Sequence, residues 1–562
     1  MEEIEPGRRY RSSDHEVVAL RLGLASAGIL LIHLAFLIAR SAPMSQSAGG
    51  IPALVACCAG GILLLGMAGL KRPQASLRWL ILVACVGDLV IQAAVWVQTS
   101  RLPDLVVTDI ALDADLAGEL LQRGENPYTW DFTGTFELYR TAQVASTPKL
   151  NGALEADFAY PALMFLLVVP FQAMGLPGAF VVSVMAHAVM LVLLFVTAPD
   201  IARPLILMPV MVGLSLVPLT LGGSMDIVWA TLLVGMVMAW RRPTLRAVLF
   251  GLAAACRHMP WLLAPFLVIR IWRDQEGGPP LSRARHFIAV SGTTFLMVNA
   301  PFIVWQPAAW LRGVTEPMRD PLVFYSQGGL SSLSQLGLVV LPKSYYLVAA
   351  LSVLLLLLFC YWRHYDRLQN TLWIMPGIAA WFSYRSLLSY WLYWVFPMLA
   401  ALVTPATLGR APKRKLDLLP TAAVVLAGLC ALTVGAVILS SSPATIEVQA
   451  HFPLPATDGE ISRMNVSLKN NSDEVLVPRF AVQQWSTGGN PLPWYIERGP
   501  LSLLPGQAGI YSIFAAWPER SFTPEDTALL VVTDAAGNYS LRGLATIDPT
   551  LAMEDDPAGG RR

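Results

Sequence analysis

The chain has 562 residues, of which 55% are hydrophobic and only 14% are charged, and its formal net charge is +1. Because a soluble globular protein carries about 25% charged residues, this composition excludes a mainly soluble architecture and indicates a polytopic α-helical membrane protein. The sequence has no long basic tract, so we expect no nucleic-acid partner.

Apolar runs long enough to cross a bilayer, which takes about 20 residues, recur along most of the chain. After a polar tail at 1–16, interpreted as cytoplasmic, we predict a multi-spanning domain over 17–442. Arginine and lysine clusters favour the cytoplasmic side, and their positions put a loop at 101–160 outside. The clearest helices are predicted at 17–40, 51–70, 79–100, 287–305, 344–362, 371–384, 386–405 and 418–440.

The middle of this domain is ambiguous. Four apolar pieces between 161 and 240 separate the outer loop from a basic loop at 241–246. That arrangement requires an odd number of crossings, so one piece is re-entrant or peripheral, and the sequence leaves open which. We expect 247–271 to form a short broken hairpin with Arg257 and His258 at its tip, because broken backbone at membrane depth must line protein or water. The count is then about 13 crossings.

The C-terminal part, at 443–550, has a different composition. Five alternating runs, separated by turn-forming residues, are IEVQAHF, RMNVSL, RFAVQQW, GIYSIFAAW and ALLVVTD. Alternation with a period of two predicts strands, and short strands at this spacing predict a small β-sandwich, which the topology places outside the membrane. Its role stays open between a spacer and a glycan-contacting domain. Residues 551–562 are interpreted as a disordered tail.

The outer loop at 101–160 is acidic, which an apolar channel or anchor does not need. Thr108 is placed to cap a helix that Gly124 ends. Asp109 opens this helix, where the helix dipole favours an ionised carboxylate. An ionised carboxylate suits a general base, so Asp109 is the first candidate for a catalytic residue.

Other polar residues of the loop are assigned as follows. Asp115 is the second candidate for the base, whereas Asp113 and Glu119 are interpreted as a solvated acidic face. Tyr128, in an Asn-Pro-Tyr tripeptide, and Tyr160, at the end of the loop, are predicted to contact substrate.

Three further residues at membrane depth are predicted to bind substrate. Asp226 is a lone acid beside a glycine pair, a costly position that favours a functional role, although a helix-end cap is the alternative. Arg257 and His258 precede Pro260, which suits the first turn of a helix. A helix N-terminus with adjacent cations is a phosphate site, and a snorkelling pair at the interface is the alternative.

Motifs for other chemistry are missing from the sequence. It contains no zinc-ligand spacing, no Walker loop, no dinucleotide-binding glycine motif and no Gly-x-Ser-x-Gly elbow. We therefore expect no nucleotide cofactor. The clustered acids of the outer loop could hold a divalent ion, but acids alone predict a metal site poorly, and we expect none.

The order of several segments resembles the GT-C superfamily of polyprenyl-phosphate-sugar-dependent glycosyltransferases, in particular its bacterial mannosyltransferase-like branch. The resemblance covers roughly residues 79–311. The matching segments are VVTDIALDAD, LLQRGENPYTWDF, FAYPALMFLLVVPF, GGSMDIVWA, GLAAACRHMPWLLAPF and NAPFIVWQPAAWL.

The resemblance implies a GT-C-like fold and transfer of a sugar, mannose or similar, from a polyprenyl-phosphate donor to an extracytoplasmic glycan, lipid or protein. Its partners would be a lipid-linked sugar, a glycan or glycolipid acceptor and membrane lipids. Asp109 best matches the family's catalytic acid, Asp115 is second, and Arg257 corresponds to a cation of the hairpin. The chain would be a multi-pass protein of the cell membrane, with its active site and C-terminal domain outside.

Physical chemistry agrees with this expectation, since inverting transfer needs one base and a cation for the leaving phosphate. Two other functions stay open. A transporter or flippase of lipid-linked sugars would also need intramembrane charges, although the internal repeats common in transporters are not visible. A membrane-anchored adhesion or assembly protein would act through its β domain.

Overall fold

The computed structural model describes most of the helical part and most of the C-terminal part. The described residues are 14–40, 50–69, 108–139, 155–199, 202–206, 225–274, 279–319, 343–387, 389–404, 445–451, 461–484, 492–515, 528–533 and 539–544, with short pieces at 82, 85–86, 149, 325–326, 329–331, 341 and within 427–436. The predicted helix at 79–100, most of the one at 418–440 and the tail at 551–562 lie outside them.

Helices dominate the described residues up to 404. In chain order they are α1 (Asp14–Arg40), α2 (Gly50–Ala68), α3 (Asp109–Gln122), α4 (Thr135–Leu138), α5 (Leu163–Leu166), α6 (Val169–Gln172), α7 (Gly178–Thr197), α8 (Asp226–Met238), α9 (Pro243–Cys256), α10 (Ala264–Arg273), α11 (Pro280–Trp305), α12 (Pro307–Arg319), α13 (Lys343–Arg363), α14 (Tyr365–Leu368), α15 (Met375–Trp381), α16 (Ser389–Leu392) and α17 (Val395–Val403). Short 3-10 helices lie at Pro127–Thr129, Arg203–Ile206, Met259–Leu263 and Thr371–Trp373.

Three of the described helices are long and apolar enough to cross a membrane. They are Gly178–Thr197, Pro280–Trp305 and Ser344–Arg363. Several shorter apolar helices accompany them, and one continuous hydrophobic cluster joins side chains from α1 through α17. The helical part is therefore that of a membrane protein, while the number of about 13 crossings stays a prediction.

Two apolar segments are broken rather than continuous. Residues Leu163–Gln172 form two single-turn helices, and about 15 Å of helix is half of what a bilayer core requires. The second break lies between the helices predicted at 371–384 and 386–405, which are shorter in the structure, at Thr371–Trp381 and Ser389–Val403. Ser383 contributes to this break, because its hydroxyl donates to the carbonyl of Ala380 at 2.7 Å and competes with the helical ladder.

The turn between α15 and α16 carries a short parallel ladder. Strand β1 (Tyr325–Ser326) pairs with β2 (Arg385–Ser386). A Cβ on Gly329 would lie 2.2 Å from the side chain of Ser386, so only glycine permits this close approach. The ladder holds Arg385 at a fixed place at one end of the helical part.

The hairpin segment breaks where it was predicted to break. Helix α9 ends at Cys256, and Arg257 is extended, with φ −151° and ψ 158°. A 3-10 helix with Pro260 in its first turn follows and leads into α10. The break turns the side chain of Arg257 away from the α9 ladder and into the protein, where it is 4% exposed.

The C-terminal part is antiparallel, with strands β3 (Ile446–His451), β4 (Arg463–Asn470), β5 (Arg479–Gln484), β6 (Leu492–Arg498), β7 (Ala508–Phe514), β8 (Ala528–Thr533) and β9 (Tyr539–Leu544). Their order is β3-β4-β7-β6-β5-β8-β9. The five predicted strands are confirmed; β6 and β9 were missed. Because β6 pairs with β5 through its first half and with β7 through its second, it links two ladders. The β-sandwich stays a prediction.

A glycine pair lets α1 and α2 approach closely. A Cβ on Gly28 would lie 2.8 Å from the carbonyl oxygen of Gly61, and a Cβ on Gly61 would lie 2.7 Å from that of Gly28. Both helices must therefore separate if either glycine gains a methyl group.

We expect Gly61→Ala to lower the free energy of unfolding by about 1–3 kcal/mol, the usual cost of overpacking. Gly66→Ala, in the same helix, is the matched control, because a Cβ there meets nothing within 4 Å. Thermal unfolding of both variants in lipid nanodiscs makes the comparison. Equal midpoints for the two variants would contradict the close approach.

Candidate active site

The first candidate acid lies where α3 begins. Thr108 caps the helix, and its side-chain oxygen accepts from the amide of Ala111 at 3.3 Å. The carboxylate of Asp109 accepts from the amide of Ile110 at 2.8 Å. The predicted cap is thus confirmed, as is the end of the helix at Gly124, whose φ is +78°.

Two further carboxyl groups, those of Asp113 and Glu155, interact electrostatically with Asp109. Burial, and then the charge of Asp109, raise the pKa of Asp113 well above its ordinary value. Burial and the charges of Glu316 and Asp109 raise the pKa of Glu155. The interpretation of Asp113 as part of a solvated face is therefore wrong, because it faces other acids inside the loop. Glu119 does lie at the surface, where it pairs with Arg123 at 3.3 Å.

Two cations accompany these acids. Lys149 donates to the fully buried Glu316 at 2.6 Å. Arg385 interacts electrostatically with both Glu155 and Asp109. Among the described residues these acids outnumber the cations, and crowding of carboxyl groups favours proton uptake by one of them.

Asp226 and Arg257 form a buried ion pair. The Arg257 Nε lies 3.0 Å from Asp226 Oδ1, and the two side chains are 5% and 1% exposed. The indole of Trp229 donates to the same oxygen at 2.9 Å. Met225, just before Asp226, has φ +53°, a backbone conformation that residues with a Cβ rarely adopt. The charges of both predicted binding residues are thus engaged with each other.

Tyr160 lies beneath this ion pair. The Arg257 guanidinium carbon is 4.4 Å from the centre of the Tyr160 ring, a cation–π distance. Tyr128 donates its hydroxyl proton to the carbonyl of Tyr160 at 2.7 Å, and its ring is buried among Phe158, Phe165 and Phe302. Tyr128 therefore orients the end of the loop, and Tyr160 is the member of the pair that reaches the charges.

His258 makes a separate contact. Its Nε2 donates to the carbonyl of Val314, on α12, at 2.7 Å, and its ring packs on those of Trp261 and Tyr160. The imidazole thus links the hairpin to α12. Helix α12 itself packs tightly on the outer loop, since a Cβ on Gly313 would lie 2.5 Å from the carbonyl oxygen of Phe158.

Asp115 serves a different element. Its Oδ1 accepts from the amide of Ala179, at the start of α7, at 3.0 Å, and from the side chain of Gln172 at 3.2 Å. Burial raises the pKa of Asp115 to about 6, and the bond from Ala179 partly offsets this. Of the two candidate bases, Asp115 therefore anchors α3 to α7. Asp109 instead interacts electrostatically with Glu155 and Arg385.

Arg385 is the residue that the sequence analysis missed. Its side chain is 9% exposed, and its Nε has no hydrogen-bond partner among the described residues. Tyr390 interacts electrostatically with both Arg385 and Arg257, which joins the two arginines into one region. The available signal was a single arginine between two apolar runs on the predicted outer side, since charge at such a place favours function.

The geometry thus combines a carboxylate at a helix start with two buried guanidinium groups, of which that of Arg257 lies over Tyr160. Such a site can accept a proton from a hydroxyl group and stabilise an anionic leaving group. Within the described part of the chain, no three His, Cys, Asp or Glu side chains are grouped as metal ligands. The predicted independence from metals and cofactors stays a prediction.

Comparison with known proteins gives one match. Residues 158–389 match the model of glycosyltransferase family 87. No curated protein matches the chain, and no solved structure does. The matched range contains Tyr160, Asp226, Arg257 and Arg385, whereas Asp109 precedes it.

We expect Arg257→Gln to cost about 3–5 kcal/mol of unfolding free energy, because it leaves the Asp226 charge buried and unpaired. The double variant with Asp226→Asn should lose less than the sum of the two single losses. Arg123→Gln, which breaks the exposed pair with Glu119, is the control and should cost about 0–1 kcal/mol. Unfolding in nanodiscs measures the two single variants, the double variant and the control. A loss of unfolding free energy in Arg257→Gln no larger than that in the control would contradict the ion pair.

A second prediction concerns pH. Because the pKa of Asp115 is raised to about 6 in the folded protein, the protonated form favours folding, and this contribution is lost as the pH rises through about 6. Asp115→Asn keeps an oxygen for the Ala179 amide but cannot ionise. The thermal midpoint of Asp115→Asn should therefore rise relative to that of the wild type between about pH 4 and pH 6.5. A difference between the two midpoints that does not change with pH would contradict the burial of this carboxyl group.

Proposed function

We propose that this chain, which the match of residues 158–389 to family 87 identifies as a glycosyltransferase, moves a sugar from a polyprenyl-phosphate donor to an acceptor outside the cytoplasm. The sugar is mannose or a similar hexose or pentose, and the acceptor is a glycan, a glycolipid or a protein. The reaction inverts the anomeric centre. The donor already carries an activated sugar, so no nucleotide cofactor takes part.

One observation carries this proposal: the helix-start carboxylate of Asp109 and the buried guanidinium of Arg385 lie within electrostatic range of each other. They come from segments far apart in sequence, and Tyr160 interacts electrostatically with Asp109, Glu155 and Arg257. A base and an anion site in one region are what displacement at a sugar phosphate needs.

Asp109 is the proposed base. The acceptor hydroxyl attacks the anomeric carbon, its proton passes to the Asp109 carboxylate, and the bond from that carbon to the phosphate oxygen breaks with its electron pair on the phosphate. The phosphate leaves ionised, so no general acid is needed. Asp109 is preferred to Asp115 because the carboxylate of Asp115 is engaged at the start of α7.

Arg385 is the proposed contact for the leaving phosphate. Its guanidinium is buried and interacts electrostatically with Glu155 and Asp109, and a guanidinium binds phosphate through paired hydrogen bonds. Arg257 contributes charge to the same region, and its Nη1 has no hydrogen-bond partner among the described residues. Asp226 and Tyr160 hold Arg257 in place. Tyr128 and His258 support this arrangement through Tyr160 and α12.

The proposed topology puts this site and the C-terminal part on the same, extracytoplasmic side of the membrane. Tyr345, near the start of α13, donates to the carbonyl of Leu432 at 2.7 Å. Ala436 packs on the cluster that contains Tyr346 and Tyr384, the neighbour of Arg385. The chain thus leaves the last apolar segment beside the site, which supports a multi-pass domain at 17–442 followed by an outer β domain at 443–550.

The test is release of polyprenyl phosphate from a panel of polyprenyl-phosphate sugars by the full-length protein in nanodiscs, with an envelope extract as the acceptor pool. We expect Asp109→Asn to lower the rate by about 10²–10⁴, the range for loss of a general base. Asp131→Asn is the matched control, because this exposed carboxylate of the same loop bonds only to Thr133 in the described structure.

Arg385 is tested in the same assay. Arg385→Gln should weaken use of the donor by about 10–100-fold, the worth of a hydrogen bond to a charged group, and Arg385→Lys should recover part of it. Turnover at the wild-type rate in Asp109→Asn would contradict the role of Asp109 as the base. In sealed vesicles, movement of the donor across the bilayer without any release of polyprenyl phosphate would favour the flippase.

A further inference from the structure

The C-terminal part has one end at which the chain arrives from the membrane domain. Thr445 precedes β3, and its carbonyl accepts from the amide of Asn471 at 2.9 Å. Ile446 pairs with Asn470, the last residue of β4. The connections at 471–478 and 499–507 therefore lie at this end, which we call the attachment end.

Further hydrogen bonds tie these two connections together. The amide of Gly506 donates to the carbonyl of Asn470 at 2.8 Å. The side chain of Asn470 donates to the carbonyl of Leu503 at 3.0 Å, and Leu476 bridges Leu503 in an antiparallel pair. The attachment end is thus a built surface held by buried polar groups, not a set of loose loops.

Exposed apolar side chains are concentrated on this surface. Five of the six exposed large hydrophobic side chains described in the C-terminal part lie on it or within three residues of it along β7. They are Val475, Val477, Leu501, Leu504 and Ile510, with Leu501 80% exposed and Leu504 60% exposed. The sixth, Tyr495, pairs with Phe514 at the far end. An exposed apolar patch confined to one end marks an interaction site.

The length of the connecting chain limits what this patch can reach. Ala436 still packs beside α13 in the helical part, and nine residues lead from it to Thr445. Because an extended residue spans at most about 3.6 Å, the attachment end lies within about 32 Å of Ala436. The apolar run predicted to cross the membrane continues to residue 440, which shortens the free connection to five residues, or about 18 Å.

We propose that the attachment end of the β domain rests on the lipid bilayer, with Leu501, Leu504 and Val475 inserted at the boundary between headgroups and acyl chains. Apolar side chains that enter this boundary stabilise a peripheral contact in proportion to the area that they bury. The short connection makes the contact nearly intramolecular, so even a small patch is enough.

Charge at the attachment end specifies the kind of lipid. Asp473 and Glu474 are exposed next to Val475, and Lys469 and Arg498, which flank the two connections, are exposed as well. Because these charges offset each other, this end has no net attraction to an anionic surface. The contact therefore depends on apolar insertion and forms on zwitterionic lipid. Other occupants, such as the helical part of the same chain or a second copy, are outcomes of the test.

The test uses the full-length chain in phosphatidylcholine nanodiscs, with a bimane label on Ser502→Cys, an exposed position between the two leucines. Cys430→Ala removes the native cysteine that is exposed among the described residues, and this parent gives the background. Arg463→Cys, at the far end of β4, is the matched control. Quenching by brominated phosphatidylcholine reports lipid, and quenching by iodide reports water.

We expect brominated lipid to quench the label at Ser502 at least about threefold more than at Arg463, with the opposite order for iodide, as for a side chain at the headgroup boundary. Leu501→Ser with Leu504→Ser should abolish the lipid quenching at Ser502, which excludes insertion driven by the label. Stronger quenching in anionic lipid would mean that cations hold this end on the membrane, and it would contradict a contact that depends on apolar insertion.

Two results would overturn the proposal. Quenching by iodide alone at both positions would mean that the attachment end is in water. Protection from both quenchers at Ser502 would mean that protein covers the patch, and repetition at one chain per nanodisc would then separate a contact within the chain from a second copy.

Discussion

The site depends on the cost of burying charge at membrane depth. An isolated buried charge is strongly unfavourable, so Asp226 and Arg257 are stable there only as a pair with further hydrogen bonds. Their 3.0 Å contact joins the start of α8 to the break after α9. Tyr160 then stacks on the guanidinium and brings the end of the outer loop to the same place. Three distant segments meet because one ion pair must be satisfied.

This constraint divides the work among the charged residues. The charge of Arg257 is largely compensated by Asp226, so the second buried arginine, Arg385, is better suited to bind an anion. The two candidate acids also differ in role. Asp115 caps the start of α7, whereas Asp109 interacts electrostatically with Glu155 and Arg385. The raised pKa of Glu155 follows from the same crowding, because carboxyl groups in one pocket oppose each other's ionisation.

Local features of the site were predictable, and long-range pairings were not. The cap at Thr108, the end at Gly124 and the break at Arg257 follow from side chains within a few residues of each feature. The partner of Arg257 is 31 residues away in sequence, and no local pattern identifies Asp226 as that partner. Arg385 was missed because it lies at the boundary between two predicted helices, and the ladder that holds it pairs it with Tyr325, a residue far away in sequence. In the C-terminal part, β6 was not predicted because Pro493 and Trp494 obscure its alternation of polar and apolar residues.

The most direct test of the account is a structure of the full-length protein in nanodiscs with polyprenyl phosphate, the proposed product. We expect the phosphate within hydrogen-bond distance of the Arg385 guanidinium, with Asp109 on the other side of the space that a sugar would occupy. A phosphate bound elsewhere, for example beside Arg246 and Arg270, which stack on Trp240 away from these acids, would contradict it.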